Sequence, residues 1–458
     1  RDQLMKVIII GAGEVGYHIA DILSKEKQDV ILIDRNEERL KELSETLDVM
    51  TLHGSGSSPE ILKKAGLSEA DMVVAVTDSD ETNMVACLLA STQSRVSFKI
   101  ARIRNPELDE YGDIFGKDRL NINLRINPER EAVRNALNLI EFPGATEVTD
   151  FHDGRIKLIG FPVQGSAVNG KTLQQLREIH PDSKMLITSI IRDDKLIEPK
   201  GDSVIRENDF FFAVAAAAEA KDLLRIFGRK TDPARRIVIM GGGNTGRMLA
   251  EALQGKGLSV KIIEKRKDRC RFLSERLDKV VVLHGDGTSQ DLLVEENIRD
   301  MDVFAAVTND EEDNVLGALL AKRLGAKKTI ALINRVEYMP LVSKLGIDGV
   351  INPRHAAISK ILHYVRRGKI ISASPLHDER VEAFEVVALA TSEITSKPVK
   401  KISFPPGTIV GAIMRGEEMI IAGGDTVIQP GDHVIIFTFR SSIPQVEKIL
   451  MVKLEYFE

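Results

Sequence analysis

Residues 6–16 decide the fold, and they read Lys6-Val-Ile-Ile-Ile-Gly-Ala-Gly-Glu-Val-Gly16. An apolar run as long as one strand leads directly into Gly11-Ala12-Gly13-Glu14-Val15-Gly16, which is a GxGxxG pattern. In a dinucleotide-binding unit the first glycine permits a tight turn, the second lets a pyrophosphate approach the backbone, and the third lets helix and strand pack closely. The N-terminus of the helix that follows supplies free N–H groups and the positive end of a dipole.

An acidic residue stands where such a site requires one. Asp34 follows Gly16 by 18 residues, at the end of the next apolar run. A carboxylate there accepts hydrogen bonds from ribose hydroxyls and repels a 2′-phosphate, which favours NAD over NADP. The alternative is a glycine-rich turn beside an ordinary surface acid.

The whole pattern recurs later in the chain, which argues against that alternative. Gly241-Gly242-Gly243-Asn244-Thr245-Gly246 lies 230 residues after the first glycine loop, and Glu264 again follows the last glycine by 18 residues. His53–Gly56 is matched by His284–Gly287 and Val76–Asn83 by Val307–Asn314, both at an offset of 231. A third region, Gly201–Asp209, is matched by Gly424–Asp432 at an offset of 223.

These offsets indicate that a larger module followed by a smaller one has been duplicated. We predict dinucleotide-binding modules at 5–146 and 232–372 and small modules at 147–231 and 373–458. Met5 reads as the native start, so residues 1–4 are left out of this division.

Alternation of short apolar runs with amphipathic stretches predicts the fold of the larger modules. In the first copy the expected strands are 6–10, 29–33, 49–52, 72–76, 99–103 and 122–126, and the expected helices are 15–24, 36–46, 58–65, 81–90 and 106–115. Continuous Val and Ile runs suit strands that are buried on both faces of a parallel, doubly wound sheet. The small modules read as short strands with one or two helices. The predicted class is therefore α/β, with two Rossmann-like domains each followed by a small α+β domain.

Composition excludes several functions. Lys and Arg number 63 against 68 Asp and Glu, so there is no basic excess to bind nucleic acid. The longest apolar run has nine residues, Phe210 to Ala218, whereas a membrane helix needs about 20. Two isolated cysteines, Cys87 and Cys270, exclude a disulfide framework and a zinc–cysteine cluster and favour a reducing compartment, and no signal peptide is recognisable.

Further candidate binding residues stand at strand ends, where open α/β sheets bind ligands. Ser55 and Asp286 follow the third strands, and Thr77, Asp78 and Thr308 follow the fourth. Arg102 lies in the fifth strand, where a ligand phosphate, a neighbouring subunit or an ion pair with Asp78, Asp80 or Glu81 would satisfy it. The second copy has Leu332 at that position, so the two sites are not chemically equivalent.

Other motifs indicate structure rather than chemistry. Gly165–Thr172 fits the GxxxxGK[ST] pattern, but too little chain follows for an NTPase core, so we interpret it as a helix-capping turn. The acidic runs 78–81 and 310–313 are interpreted as solvated helix N-termini in preference to a metal site. No Tyr-x-x-x-Lys dyad, nucleophile elbow, HExxH or zinc spacing occurs, so we expect neither catalytic nor metal-binding residues.

The paired modules resemble the RCK/KTN family of regulators of potassium conductance. The resemblance rests on the two GxGxxG loops, on the Thr-x-x-Asp/Glu-Glu-x-Asn segments at 77–83 and 308–314, and on shorter matches at 86–87, 100–104, 404–408 and 431–433. It extends over essentially the whole chain from Met5. Ser55 departs from the Asp common in the family, which Asp286 retains, and Leu332 departs from the Arg.

The resemblance implies a regulatory function that depends on nucleotide binding. It implies binding of NAD or NADH, or of ATP or ADP at the same sites, through residues 11–15, Asp34, Thr77, Asp78 and Arg102, then 241–245 and Glu264. It further implies a homo-oligomeric ring, a tetramer of tandem chains, on the cytoplasmic face of a Trk-type potassium-translocating membrane subunit that the ring regulates. The alternative is an NAD-dependent oxidoreductase with an unrecognised catalytic site.

Overall fold

The computed structural model describes residues 4–105, 108, 111–164, 168–193, 195–229, 231–335, 338–354, 357–358, 361, 370–376 and 381–450. The chain forms two compact units. Unit 1 comprises residues 1–131 and 353–365, and unit 2 comprises residues 132–352 and 366–458. Among the described residues, no helix combines the length and the apolar character needed to cross a bilayer.

Unit 1 is built on a six-stranded parallel sheet. Its strands are β1 (Lys6–Ile10), β2 (Asp29–Asp34), β3 (Met50–His53), β4 (Met72–Ala75), β5 (Phe98–Arg102) and β6 (Leu124–Ile126), in the spatial order β3-β2-β1-β4-β5-β6. The helices between them are α1 (Glu14–Lys25), α2 (Glu37–Thr46), α3 (Pro59–Lys64) and α4 (Asp80–Gln93), with single 3₁₀ turns at Leu67–Glu69 and Gly112–Phe115. This order is that of a dinucleotide-binding sheet, and the switch point lies between β1 and β4. All six predicted strands are therefore present; the helix predicted at 106–115 falls partly outside the described residues, and its end is the 3₁₀ turn.

Unit 2 contains a second sheet of the same order. Its strands are β12 (Arg236–Met240), β13 (Ser259–Glu264), β14 (Val280–His284), β15 (Val303–Ala306), β16 (Lys328–Leu332) and β17 (Gly349–Ile351). The helices are α8 (Asn244–Gln254), α9 (Lys267–Arg276), α10 (Gln290–Glu295), α11 (Glu311–Arg323) and α12 (Met339–Lys344), with a 3₁₀ turn at Ile298–Asp300. The predicted class of two Rossmann-like sheets is confirmed.

Two five-stranded antiparallel sheets complete unit 2. The first has β7 (Glu147–Phe151), β8 (Ile156–Pro162), β9 (Met185–Arg192), β10 (Lys195–Ile197) and β11 (Phe210–Ala216), with α6 (Leu173–Ile179) and α7 (Ala220–Ile226) and 3₁₀ turns at His152–Gly154 and Ala217–Glu219. The second has β18 (Ile370–Leu376), β19 (Val381–Val387), β20 (Ile409–Arg415), β21 (Glu418–Ile421) and β22 (His433–Phe439), with a helix at Ile443–Leu450 and 3₁₀ turns at Val399–Lys401 and Arg440–Ser442. Their strand orders, β10-β9-β11-β8-β7 and β21-β20-β22-β19-β18, match position by position.

The two small sheets pack against each other through apolar faces. Phe151, Leu158, Phe212 and Val214 of the first sheet form one buried cluster with side chains of the second, which are Val381, Ala383, Ala412, Met414, Ile435 and Phe437. At Gly411 a β-carbon would come within 3.3 Å of Val214 Cγ1, so this position brings the second sheet close to the first. The α+β modules predicted from the repeat are thus joined by a shared core.

Each parallel sheet is covered in part by a segment distant in sequence. Ala357, Ile358 and Ile361 are buried with the apolar residues of the first sheet in unit 1. The helix α5 (Pro128–Glu141), which the sequence analysis did not predict, passes at residue 132 into unit 2, where Ala136 and Leu139 are buried with Ile330 and other residues of the second sheet. The two units therefore do not coincide with the four modules of the repeat.

The Walker-like segment caps a helix. Thr172 accepts a hydrogen bond from Gln175 N (3.2 Å) while the Gln175 side chain accepts one from Thr172 N (2.9 Å), so the two form a capping box at the start of α6. The neighbouring strands are antiparallel, unlike those of an NTPase core. Gly165, Ser166 and Ala167 of this motif lie outside the described residues.

Candidate functional site

Both glycine loops have the geometry that a pyrophosphate requires. Gly11 and Gly241 adopt φ of 105° and 106°, a region that favours glycine, and a β-carbon at Gly16 or Gly246 would lie 1.9 Å from the carbonyl oxygen of the first glycine. By contrast, a β-carbon at Gly13 or Gly243 would meet no atom within 4 Å. The first and third glycines are thus required by packing, whereas the second faces open space at the helix N-terminus.

The acidic residue at the end of each second strand holds its glycine loop. Asp34 Oδ2 accepts a hydrogen bond from Ala12 N at 2.6 Å and Oδ1 accepts one from Asn36 N at 2.8 Å. Glu264 does the same, with Gly242 N at 2.8 Å on Oε2 and Arg266 N at 2.8 Å on Oε1. Each carboxylate is therefore oriented beside the loop, with lone pairs left for ribose hydroxyls.

A buried asparagine organises the end of the fourth strand in each copy. Asn83 Oδ1 accepts hydrogen bonds from Thr77 N (2.9 Å) and Thr77 Oγ1 (2.7 Å), and Asn83 Nδ2 donates to the carbonyls of Thr77 (3.1 Å) and Arg102 (2.9 Å). Asn314 makes the same four contacts to Thr308 and Leu332. Both asparagines are fully buried, so they join the fourth and fifth strands. The sequence analysis missed this role, although the repetition of Asn at the same place in both copies was a signal for it.

One acid in each acidic helix start is less exposed than the predicted solvated turn, whereas Asp78, Glu81, Asp310 and Glu312 are exposed as predicted. Asp80 Oδ2 accepts hydrogen bonds from the backbone N–H groups of Arg104 and Asn105, both at 2.8 Å. Glu311 is 7% exposed and accepts from Asn334 N (2.9 Å) and Arg335 N (3.2 Å). Asp80, whose side chain is 11% exposed, and Glu311 thus support the loop after the fifth strand, because that loop presents N–H groups which need an acceptor.

Arg102 forms the predicted ion pair and retains an unsatisfied donor. Arg102 Nη1 lies 3.0 Å from Asp78 Oδ1, while Arg102 Nε is buried and has no hydrogen-bond partner among the residues that the structure describes. The Asp78 side chain is 93% exposed, so this pair gains little from a low dielectric. The guanidinium therefore lies beside the end of β4 with a donor still to be satisfied.

Charge is distributed unequally between the two sites. Lys265 Nζ lies 2.8 Å from Asp313 Oδ2 and 3.3 Å from Asp286 Oδ2, and the pairing with Asp313, helped by Asp286, raises the pKa of Lys265. At the equivalent place in the first copy, Arg35 Nη2 donates to Ser55 Oγ at 2.8 Å. In the second site two carboxylates thus neutralise Lys265, whereas in the first site Arg35 contacts the uncharged hydroxyl of Ser55.

The second site includes a cleft of about 330 Å³ that brings several predicted residues together. Its lining is contributed by the glycine loop, the acid of β13 and the ends of β14 and β15, and includes Gly241, Gly243, Glu264, Gly287 and Thr308. Five of the predicted residues are buried, namely Ala12, Val15, Gly16, Thr245 and Gly246, and Glu14 Oε2 lies 3.5 Å from Arg354 Nη1. His53 and His284 contact the carbonyls of Arg35 and Lys265 at 3.0 and 3.1 Å, which is a structural role.

Comparison with known proteins agrees with this geometry. The TrkA-N domain family matches residues 7–123 and 237–353, and the TrkA-C domain family matches residues 383–451. The Trk system potassium uptake protein TrkA of Halomonas elongata is 41% identical over 99% of this chain and 100% of its own length. That of Vibrio alginolyticus is 41% identical over 94% of this chain and 95% of its own.

Solved structures share the fold at low sequence identity. A structure described as the GsuK channel bound to NAD superposes with a TM-score of 0.61 at 18% identity, covering 98% of this chain and 79% of that one. Another, described as GsuK bound to ADP, superposes with a TM-score of 0.51 at 15% identity over 80% of this chain and 71% of that one.

Proposed function

The chain belongs to the TrkA family of Trk system potassium uptake proteins, and we propose that within such a system it is the nucleotide-sensing regulatory subunit. It binds NAD, NADH or an adenine nucleotide at each glycine loop. Through this binding it controls a Trk-type potassium-translocating membrane subunit. It assembles with further copies of itself into a ring, a tetramer of tandem chains, on the cytoplasmic face of the bacterial membrane.

One observation carries the nucleotide part of the proposal. Among the described residues, no atom lies within 4 Å of where a β-carbon would stand at Gly13 or Gly243, although each of these glycines begins a helix directly after a central strand. Open space at that place accommodates a phosphate group, which the helix N-terminus favours. The unsatisfied Arg102 Nε fits the same chemistry in the first site, because a phosphate oxygen would accept from it.

We propose a set of binding residues for each site. In the first site we assign Gly11–Val15, Gly16, Asp34, Ser55, Thr77, Asp78 and Arg102, and in the second Gly241–Thr245, Gly246, Glu264, Asp286 and Thr308. We further propose the four-module division predicted from the repeat, with its last boundary moved from 373 to 370, because β18 begins at Ile370.

Regulation without chemistry is the simplest use of two such sites. A ligand shifts a conformational equilibrium only by its difference in affinity for the two states, and typical couplings are about 1–3 kcal/mol. Because Arg35 meets Ser55 where Lys265 meets two carboxylates, we expect the first site to favour a highly charged phosphate chain more than the second does. The two sites therefore respond unequally to different nucleotides.

Reconstitution tests this proposal. The chain would be combined with a Trk-type membrane subunit in vesicles, and Rb⁺ flux measured against NAD, NADH, ATP and ADP, with Gly13→Asp and Gly243→Asp as site knockouts. We expect flux to depend on nucleotide and each variant to remove part of that dependence. Flux indifferent to nucleotide would contradict the proposal, and steady oxidation of NADH by the isolated chain would favour the oxidoreductase instead.

A further inference from the structure

Three ionisable side chains from distant parts of the chain converge where the two antiparallel sheets of unit 2 meet. His152 Nδ1 lies 3.1 Å from Glu385 Oε1, and His433 Nδ1 lies 2.7 Å from the same oxygen. The two imidazole rings meet edge to face with their centres 4.6 Å apart. These three residues form what we call the His-Glu-His cluster, and it is separate from both glycine loops in sequence and in its supporting strands.

Each member of the cluster is held in place by its backbone. Glu385 and His433 lie on neighbouring strands β19 and β22, on one face and in diagonal register, because Glu385 pairs with Ile435 and Val387 with His433. His152 belongs to the turn after β7 and has a φ of 48°, a conformation that most residues avoid. Its backbone N–H donates to Glu385 Oε2 at 3.0 Å, so this contact orients the carboxylate and leaves Oε1 to the two imidazoles.

Burial and charge distinguish this cluster from an ordinary surface contact. The Glu385 side chain is 2% exposed, whereas those of His152 and His433 are 17% and 31% exposed. Within the described part of the chain, the ionisable partners of Glu385 are these two histidines, while the nearby cations Arg155 and Lys157 pair with Glu417 and Asp150. A buried carboxylate is costly without a charged partner. A bound cation would supply it.

We propose that the His-Glu-His cluster binds a divalent transition-metal ion of the Zn²⁺ class. Two imidazole nitrogens and one carboxylate oxygen are a donor set that zinc accepts with a fourth position left to water. All three ligand atoms lie within 4.8 Å of one another. Tetrahedral bonds of about 2.1 Å separate ligands by about 3.4 Å, so the observed 2.7 and 3.1 Å need only a small opening.

The site would join the two halves of the repeat. His152 comes from the first small sheet, and Glu385 and His433 come from the second. The strand pairing places Gly160 and Phe210 of the first sheet where the second has Glu385 and His433, so the pseudo-symmetric position cannot hold the same ion. One metal ion for each chain is therefore expected, bridging the sheets at one rim.

The proposal is tested with the full chain, free of any affinity tag and treated with a chelator. Zn²⁺ alone is titrated by calorimetry, the bound metal is counted by elemental analysis, and Co²⁺ is added as a spectroscopic probe. We expect one Zn²⁺ per chain, visible Co²⁺ absorption typical of tetrahedral N/O ligands, and a higher unfolding temperature with Zn²⁺ than without it.

Variants separate a built site from adventitious binding. Glu385→Gln keeps the size of the buried side chain, and His152→Asn keeps a residue that tolerates positive φ while removing the imidazole. Each should weaken Zn²⁺ binding by roughly 100-fold and abolish the Co²⁺ absorption, since removal of a mere supporting contact already costs 10–100-fold. His180→Asn, at the end of α6 and outside the cluster, should bind as the wild type does.

Two results would overturn the proposal. One is a wild-type chain that binds no Zn²⁺ above the level of a His152→Asn/His433→Asn double variant whose circular dichroism is native. The other is a Co²⁺ spectrum that persists in Glu385→Gln. NAD titration of the same samples keeps this outcome distinct from a failure of the nucleotide sites.

Discussion

At the scale of single residues, Asp34 has two roles that depend on the same carboxylate. Its carboxylate supports the glycine loop through Ala12 N and, in the proposed site, accepts from a ribose hydroxyl. We expect Asp34→Ala to weaken NAD binding at the first site by about 1.5–3 kcal/mol for each charged hydrogen bond lost, and to narrow the preference for NAD over NADP. Calorimetric titration with the second site disabled by Gly243→Asp would measure this. Unchanged NAD affinity would remove Asp34 from the site.

The second glycine of each loop allows a more specific test of nucleotide binding, because a charged side chain introduced there has room and does not displace neighbouring residues. A side chain at Gly13 enters open space, so Gly13→Asp should leave the fold intact while repelling a phosphate. By calorimetry we expect Gly13→Asp to lose nucleotide binding at the first site and Gly243→Asp to lose it at the second. Gly16→Ala is the matched contrast, since its β-carbon would lie 1.9 Å from Gly11 O and should destabilise the unit itself.

The asparagine of the fourth strand end matters for stability before it matters for binding. Asn83→Ala leaves the buried N–H of Thr77 and two carbonyls without partners, so we expect a loss of about 2–4 kcal/mol in the free energy of unfolding. Urea unfolding would measure it, with Asn314→Ala as the equivalent change in unit 2. A loss below about 0.5 kcal/mol would contradict the role assigned to these four hydrogen bonds.

At the scale of secondary-structure elements, Lys328 of β16 binds backbone carbonyls at the C-terminal end of helix α5. Lys328 is 3% exposed, and its ammonium group donates to the carbonyls of Leu139, Phe142 and Ala145 at 2.7, 3.1 and 2.7 Å. Burial lowers the pKa of Lys328 to about 7. Between pH 7 and about 10.5 the folded chain has therefore released a proton that the unfolded chain retains.

The sign of the pH effect follows from that difference. Beyond its hydrogen bonds, Lys328 makes a pH-dependent contribution to the free energy of unfolding that is absent below pH 7 and grows as the pH rises towards 10, with a slope of at most about 1.4 kcal/mol per pH unit. Lys328→Met should be less stable than the wild type, and the gap in the free energy of unfolding should widen from pH 7 to pH 9.5. Lys327→Met, an exposed neighbour, is the control. Parallel stability curves for the wild type and Lys328→Met would contradict the expectation.

The elements of the parallel sheets could be predicted because their signals are local. The strands predicted at 6–10 and 29–33 lie at Lys6–Ile10 and Asp29–Asp34. They could be predicted because a short continuous apolar run that ends at a glycine or an acidic residue is typical of a buried strand. Helix α5 has its own apolar periodicity, with Ala132, Ala136, Leu139 and Ile140 buried, but no local signal tells which sheet it covers. The His-Glu-His cluster was missed for the same reason, because its histidines lie 233 and 48 residues from Glu385.

At the scale of the whole molecule, unit 1 depends on residues that follow it by more than 200 positions. Ile361 is fully buried among side chains of the first sheet. We expect Ile361→Ala to cost about 2–5 kcal/mol and to lower hydrogen-exchange protection in strands β1, β2 and β4, while strands of unit 2 keep theirs. Ile351→Ala, equally buried in unit 2, is the matched control and should show the opposite pattern. If Ile361→Ala lowered hydrogen-exchange protection in unit 2 alone, the assignment of Ile361 to unit 1 would be contradicted.

The late segment at 353–365 also bears on how the chain is made. Synthesis proceeds from the N-terminus at about 5–20 residues each second, so residues 1–131 leave the ribosome roughly ten seconds or more before Ile361 does. During that interval the apolar surface that Ala357, Ile358 and Ile361 will cover is exposed, and a nascent chain in that state is a substrate for chaperones and for aggregation. If the gene were divided between its two halves, the product of the first half would keep this apolar surface exposed permanently.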